Sequence, residues 1–149
     1  MEPTYSVFII VGRPRRDVFE AVADPKELAS YFTTGGASAR LESGTTVTWD
    51  FADFPGAFPV HVIEVVSDEK IVFSWKANEP GADYDLQVTF RFSDVEEGRT
   101  KVEVEEAGWR DTDAARKASY GNCMGWSQML CALKAWVEYG INLREGAYK

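Results

Sequence analysis

Few side chains in this sequence could do chemistry, and the first of them stands alone in its kind. His61 is the only histidine. It lies in the run Val60-His61-Val62-Ile63-Glu64-Val65-Val66, where strict alternation groups it with Ile63 and Val65 on one face of a strand, the face turned toward a covering helix. An imidazole titrates near neutrality, so there it could orient or protonate a bound molecule. A backbone carbonyl could equally satisfy it as an ordinary rim or core histidine. Asn122 is the second candidate, because it falls on the apolar arc of a long helix beside Gly121 and Gly125. A buried amide there needs partners, from a ligand or from a helix cap or bend. Glu64 shares parity with Val62 and Val66 and reads as an outer-face carboxylate, while Asp50 and Asp53 flank a loop at the expected mouth. No glycine-rich phosphate loop, no supported Ser-His-Asp order and no convincing carboxylate pair is present, so no residue is assigned a catalytic role. Cys123 and Cys131 stand on one predicted helix, about 12 Å apart along its axis. That is beyond disulfide reach, and with a single histidine they make no recognisable zinc site. Neither a metal nor a cofactor is expected.

The remaining candidates are apolar. Trp49, Phe51, Phe73, Trp75, Phe90, Phe92, Trp109 and Trp126 either line a pocket or simply fill a core. Volume separates the two, because large rings on a curved sheet opposite Ala115, Ala118, Gly121 and Gly125 leave space that packed interiors lack. The candidate lining is therefore Trp49, Phe51, His61, Ile63, Phe73, Trp75, Phe90, Trp109, Asn122, Gly125, Trp126 and Met129.

The element that must position them runs from Asp113 to Ile141. At about 100° per residue, Trp126, Met129, Leu130, Leu133, Trp136, Val137 and Ile141 share one arc, opposite Ser127, Gln128, Lys134, Glu138 and Asn142. Carried backwards, the arc passes through Asn122, Ala118 and Ala115, so the helix is bulky in its second half and slim in its first. Two interior glycines lower helix stability by roughly 1 kcal/mol each relative to alanine. Close packing, a bend, a late start near Asn122 or room for a guest would each account for them. A cap among Asp111 to Asp113 opens the helix, and Gly140 with Ile141 closes it in a Schellman-type stop.

Ahead of this helix the period is two. Tyr5 to Val11 reads as a first strand, followed by a short helix from Pro14 through Val18, Phe19 and Val22. A second short helix begins at Asp24-Pro25 and leads to Tyr31-Phe32. A meander then follows through Val47, Trp49 and Phe51; a loop from Asp53 to Pro59; Val60 to Val66; Ile71, Phe73 and Trp75; Leu86, Val88, Phe90 and Phe92; and Val102 and Val104. One apolar and one polar face fit an antiparallel sheet covered on one side.

The length of 149 residues fits a single domain spanning 1–149. A formal charge of −8, with the one basic cluster at Arg13, Arg15 and Arg16, argues against a nucleic-acid partner. No apolar run is long enough to insert in a membrane and no signal peptide is evident, which places the protein in the cytoplasm.

The chain resembles the START-like (SRPBCC, helix-grip) superfamily, and within it the family named for the activator of the Hsp90 ATPase. The resemblance rests on Pro14 to Phe19, Asp24-Pro25 and Tyr31-Phe32, on Val62-Ile63-Glu64-Val65 and Ile71-Val72-Phe73-Ser74-Trp75, and on Gly125-Trp126 with Leu130, Leu133 and Glu138. It implies an α+β helix-grip fold: a curved antiparallel sheet of six to seven strands wrapped on a long C-terminal helix, with two short helices after the first strand. It also implies a cavity between sheet and helix for an apolar or amphipathic small molecule of lipid, polyketide or aromatic class. Two other functions stay open, an enzyme of cyclase or hydrolase type using His61, and a protein-interaction module, as a homodimer or beside a chaperone. Chaperone activation does not carry over from the family name, because the co-chaperone resembled has a further N-terminal domain.

Overall fold

The computed structural model describes residues 2–149. Strand β1 (Tyr5–Val11) is followed by helices α1 (Arg15–Ala23) and α2 (Pro25–Ala29). Strands β2 (Gly36–Ala37), β3 (Thr46–Phe51), β4 (Phe54–Val66), β5 (Lys70–Lys76), β6 (Asp85–Glu96) and β7 (Arg99–Ala107) come next, and α3 (Asp113–Tyr139) ends the series. The strands form one antiparallel sheet in the order β1-β7-β6-β5-β4-β3-β2. Only β1 departs from the meander, returning to pair with β7 so that Val7 faces Val104. With the long helix and the two short ones, this is the helix-grip fold.

Local chemistry sets the helix ends. The Asp24 carboxylate accepts from the Lys26 N–H at 2.9 Å and Pro25 opens α2. Thr112 caps α3, its hydroxyl oxygen accepting from the Ala115 N–H at 3.1 Å. At the other end Gly140 adopts φ 68°, and the Ile141 N–H reaches back to the Ala135 carbonyl at 3.2 Å. Between these caps α3 is unbroken over 27 residues, so neither Gly121 nor Gly125 marks a bend or a late start.

Alternate residues of the sheet fill the interior. Val47 and Trp49, Val60 and Val62, Ile71 and Phe73, Leu86 to Phe92 in steps of two, and Val102 and Val104 are all buried. Trp126, Met129, Leu130 and Leu133 of α3 and Val18, Phe19 and Val22 of α1 close over them.

Strand β4 departs from the sequence reading twice. The stretch expected as a loop, Asp53 to Pro59, is almost entirely strand: Phe54 pairs with Phe51, Phe58 with Trp49 and Pro59 with Thr48. Its prolines are tolerated because β5 joins only from His61 onward, which leaves one edge of residues 54–60 without a ladder to break. The second correction concerns facing. Both phases of Val60 to Val66 carry apolar residues, and Val60 and Val62 are the ones that point inward. A bulge between Val62 and Glu64 then switches phase, so Val65 returns toward the core while His61 and Ile63 face outward.

Candidate functional site

The slim half of α3 is open over only part of its length. Near its start, Trp109 fills the space beside Ala115, in a small buried cluster with Ala77, Ala82 and Leu86 against which Ala118 also packs. Farther along, a methyl group added at Gly121 or Gly125 would meet nothing within 4 Å. That stretch borders a cleft of about 520 Å³, walled by Phe32, Phe51, Trp75 and Trp126 and rimmed by Phe54, Met124, Gln128, Arg144 and Tyr148, with Asn78 and Asn122 as its amides.

Behind the cleft wall lies a buried carboxylate. Glu106, the last inward position of β7, is fully buried. Its Oε1 accepts from the Tyr5 hydroxyl at 2.6 Å and from Asn122 Nδ2 at 3.0 Å. Its Oε2 accepts from the indole N–H groups of Trp75 and Trp126, each at 3.1 Å. Four donors meet the roughly four lone-pair sites that a carboxylate presents. Burial first, and then the neighbouring Glu106 charge, push the Tyr5 phenol far above its usual range. The two indoles stand 5.3 Å apart between ring centroids. Both rings, together with Asn122, present their remaining surface to the cleft.

The opposite side is closed by the segment after α3. Arg144 donates through Nε and Nη2 to Oδ1 of Asp53, at 3.3 and 3.1 Å, and lays its guanidinium over Phe51 at 4.4 Å from the ring centroid. Tyr148 donates to Gln128 at 2.7 Å and contacts Phe54. Asp50, next to the last residue of β3 rather than in a turn, accepts from the Gly56 N–H at 2.9 Å.

Of the residues expected at a cavity, the structure brings Phe51, Trp75, Asn122, Gly125 and Trp126 to the cleft. Trp49, Phe73 and Phe90 are buried in the core behind it, and Trp109 lies in its separate cluster. Met129 lines a neighbouring recess of about 260 Å³ that shares Phe32, Arg144 and Tyr148. His61 is a correction: it stands exposed on the outer face against the Thr46 hydroxyl at 3.1 Å and is not among the residues lining the cleft. Ile63 beside it is half exposed. Glu64, paired with Lys70, lies on the outer face as expected, but the bulge puts it there and not its parity with Val62, which points inward.

Glu106, Tyr5, Phe32, Arg144 and Tyr148 were not singled out from the sequence. Glu106 had a signal, since it stands in the phase of Val102 and Val104, but the neighbouring acids Glu103 and Glu105 make the end of β7 read as solvated. Arg144 had none, because its partner is 91 residues away. Among the described residues no group of three or more His, Cys, Asp and Glu side chains is placed to hold a metal ion. No helix there is long and apolar enough to cross a membrane.

The sequence profile of the family described as Activator of Hsp90 ATPase homolog 1-like protein matches residues 13–138. No curated protein matches the chain by sequence. Among solved structures, the Staphylococcus saprophyticus protein SSP2350 is 28% identical, with a TM-score of 0.80 over 95% of this chain and 96% of its own. DynU16, from the dynemicin biosynthetic locus, is 25% identical with a TM-score of 0.74, over 94% of this chain and 49% of its own. The Aha1 dimer of Colwellia psychrerythraea is 19% identical with a TM-score of 0.75, over 93% of this chain and 98% of its own. At that identity the likeness is one of fold.

Proposed function

This chain belongs to the Activator of Hsp90 ATPase homolog 1-like protein family, and on that premise we propose that residues 1–149 act as one cytoplasmic domain that binds an apolar or amphipathic small molecule between sheet and helix. The observation that carries the reading is the cleft of about 520 Å³ over Gly121 and Gly125. Its size suits an organic guest, and its aromatic walls with a few fixed polar groups match the usual make-up of such sites. Affinity would come mainly from burial, at roughly 25 cal/mol per Å² of apolar surface.

Native mass spectrometry of protein purified from its own host would detect a retained compound. A thermal-shift screen of fatty acids, aromatics and polyketides complements it, since a ligand at a hundred times its dissociation constant adds about 2.7 kcal/mol. The shift should disappear in Gly125→Phe, whose ring occupies the cleft from a helical position that has room for it. A folded wild type that retains nothing and responds to no class would overturn the reading.

A second reading has one observation in its favour. Phe54, Met124 and Tyr148 are 52%, 58% and 39% exposed around the same mouth, and an exposed apolar rim is also what a protein contact uses. The relative from Colwellia psychrerythraea is described as a dimer. Light scattering across a concentration series decides it: a dimer that dissociates in Met124→Glu supports this reading, and a monomer at every concentration removes self-association.

A further inference from the structure

We propose, resting on the reading that the cleft holds a small molecule, that it selects a flat apolar ring system bearing a hydrogen-bond donor, received by the side-chain oxygen of Asn122. The argument starts at Glu106, which is fully buried. All four side chains around it donate to its oxygens, and the atom of Asn122 that stands 3.0 Å from Oε1 is the amide nitrogen. Fixing the nitrogen fixes the oxygen. Oδ1 has no partner among the described residues, and Asn122 borders the cleft. The amide thus offers the cleft an acceptor.

Two of the other three donors to Glu106 reinforce this polarity. Trp75 and Trp126 commit their only polar hydrogens to Oε2, so the indoles give the cleft flat carbon surface and nothing that donates. A guest with an N–H or O–H on an aromatic frame gains a partner at Asn122. A guest with only a carbonyl or ether oxygen leaves Oδ1 desolvated and unpaired. Glu106 touches no guest; it is a positioning residue that sets which way the amide faces.

Indole and benzofuran separate the cases, because they are close in shape and differ in whether the ring heteroatom carries a hydrogen. Titration calorimetry on the wild type should give indole the lower Kd, by roughly three- to tenfold, the worth of one neutral hydrogen bond. In Asn122→Ala the ratio should fall to one or below. Glu106→Gln should abolish the preference as well, although Asn122 remains. Indoles cannot accept, so the new glutamine NH2 must face Tyr5 and Asn122, and Asn122 must turn its oxygen inward to receive it. The amide then shows the cleft a donor, which opposes the indole N–H. If Glu106→Gln fails to fold, Asn122→Ala still decides the matter. Equal affinity for the two probes in the wild type, or a preference for indole that survives Asn122→Ala, overturns the proposal and leaves the small-molecule reading intact. Binding of neither probe, combined with an empty thermal-shift screen, removes the reading and the proposal together.

Discussion

The Tyr5 hydroxyl donates to Oε1 of Glu106 at 2.6 Å, joining the beginning of the first strand to the end of the last at a carboxylate buried beneath the long helix. Neighbouring strands already align the two residues, since Tyr5 faces Glu106 in the β1–β7 register. The bond therefore adds charge satisfaction at a point the ladder has fixed.

Removing that hydroxyl in Tyr5→Phe leaves one carboxylate lone pair without its donor. A hydrogen bond to a charged group contributes about 1.5–3 kcal/mol, so urea unfolding at pH 7 should show a loss of that order. The pH dependence has a definite sign. The folded-state phenol titrates far above the unfolded value of 10.0, so its contribution is complete below pH 10 and declines as the pH rises past it. The difference between wild type and Tyr5→Phe should shrink above pH 10.

Glu138 works at the acid end. Its carboxylate accepts from the Gly12 N–H at 3.0 Å and pairs with Lys134, and these two interactions, the backbone one first, hold it below the ordinary value of 4.5. A depressed carboxylate stabilises the fold above its unfolded pKa and loses that contribution as the pH falls through the folded one. Glu138→Gln should thus be less stable than wild type at pH 7 and converge with it below pH 4.5. A gap that stays constant down to pH 3 would show that the pair contributes through packing.

Gly121→Ala and Gly125→Ala should each stabilise the protein by about 1 kcal/mol, because both positions are helical and the added methyl meets no atom within 4 Å. Chemical denaturation should register the gain in the midpoint at an unchanged m-value. Neither glycine is required by backbone conformation, so what each contributes is the space beside it.

Much of the architecture was legible because periodicity and packing agree. Leu86 to Phe92 alternate cleanly and all four apolar residues are buried, and Gly140 ends α3 in the left-handed conformation that its position announced. The facing of β4 was not legible, since Val60 and Val62 compete with Ile63 and Val65 and only a bulge reconciles them. The same tie misdirected His61. Asn122 and Gly125 could be placed by helical phase, whereas what holds Asn122 in place depended on an acid at a core-phase position, which pattern reading discounts. Contacts such as Trp136 to Glu27, 109 residues apart, carry no local signal at all.

The clasp of Arg144 on Asp53 fixes one side of the cleft. Both side chains are largely shielded, at 12% and 15% exposure, and Oδ2 of Asp53 is already buried without a partner. Arg144→Ala would strand a shielded carboxylate, so it should destabilise by at least about 2 kcal/mol, approaching the 3–5 kcal/mol seen when fully buried pairs are broken. Arg144→Lys should recover only part of this, since an ammonium replaces neither the paired Nε and Nη2 donors nor the planar contact with Phe51. If the clasp acts as a unit, Asp53→Ala combined with Arg144→Ala should lose less than the sum of the single changes in a double-mutant cycle. Amide exchange in residues 141–149 should rise in every clasp variant, and equal protection in wild type and Arg144→Ala would show that Tyr148 and Gln128 hold the segment without it.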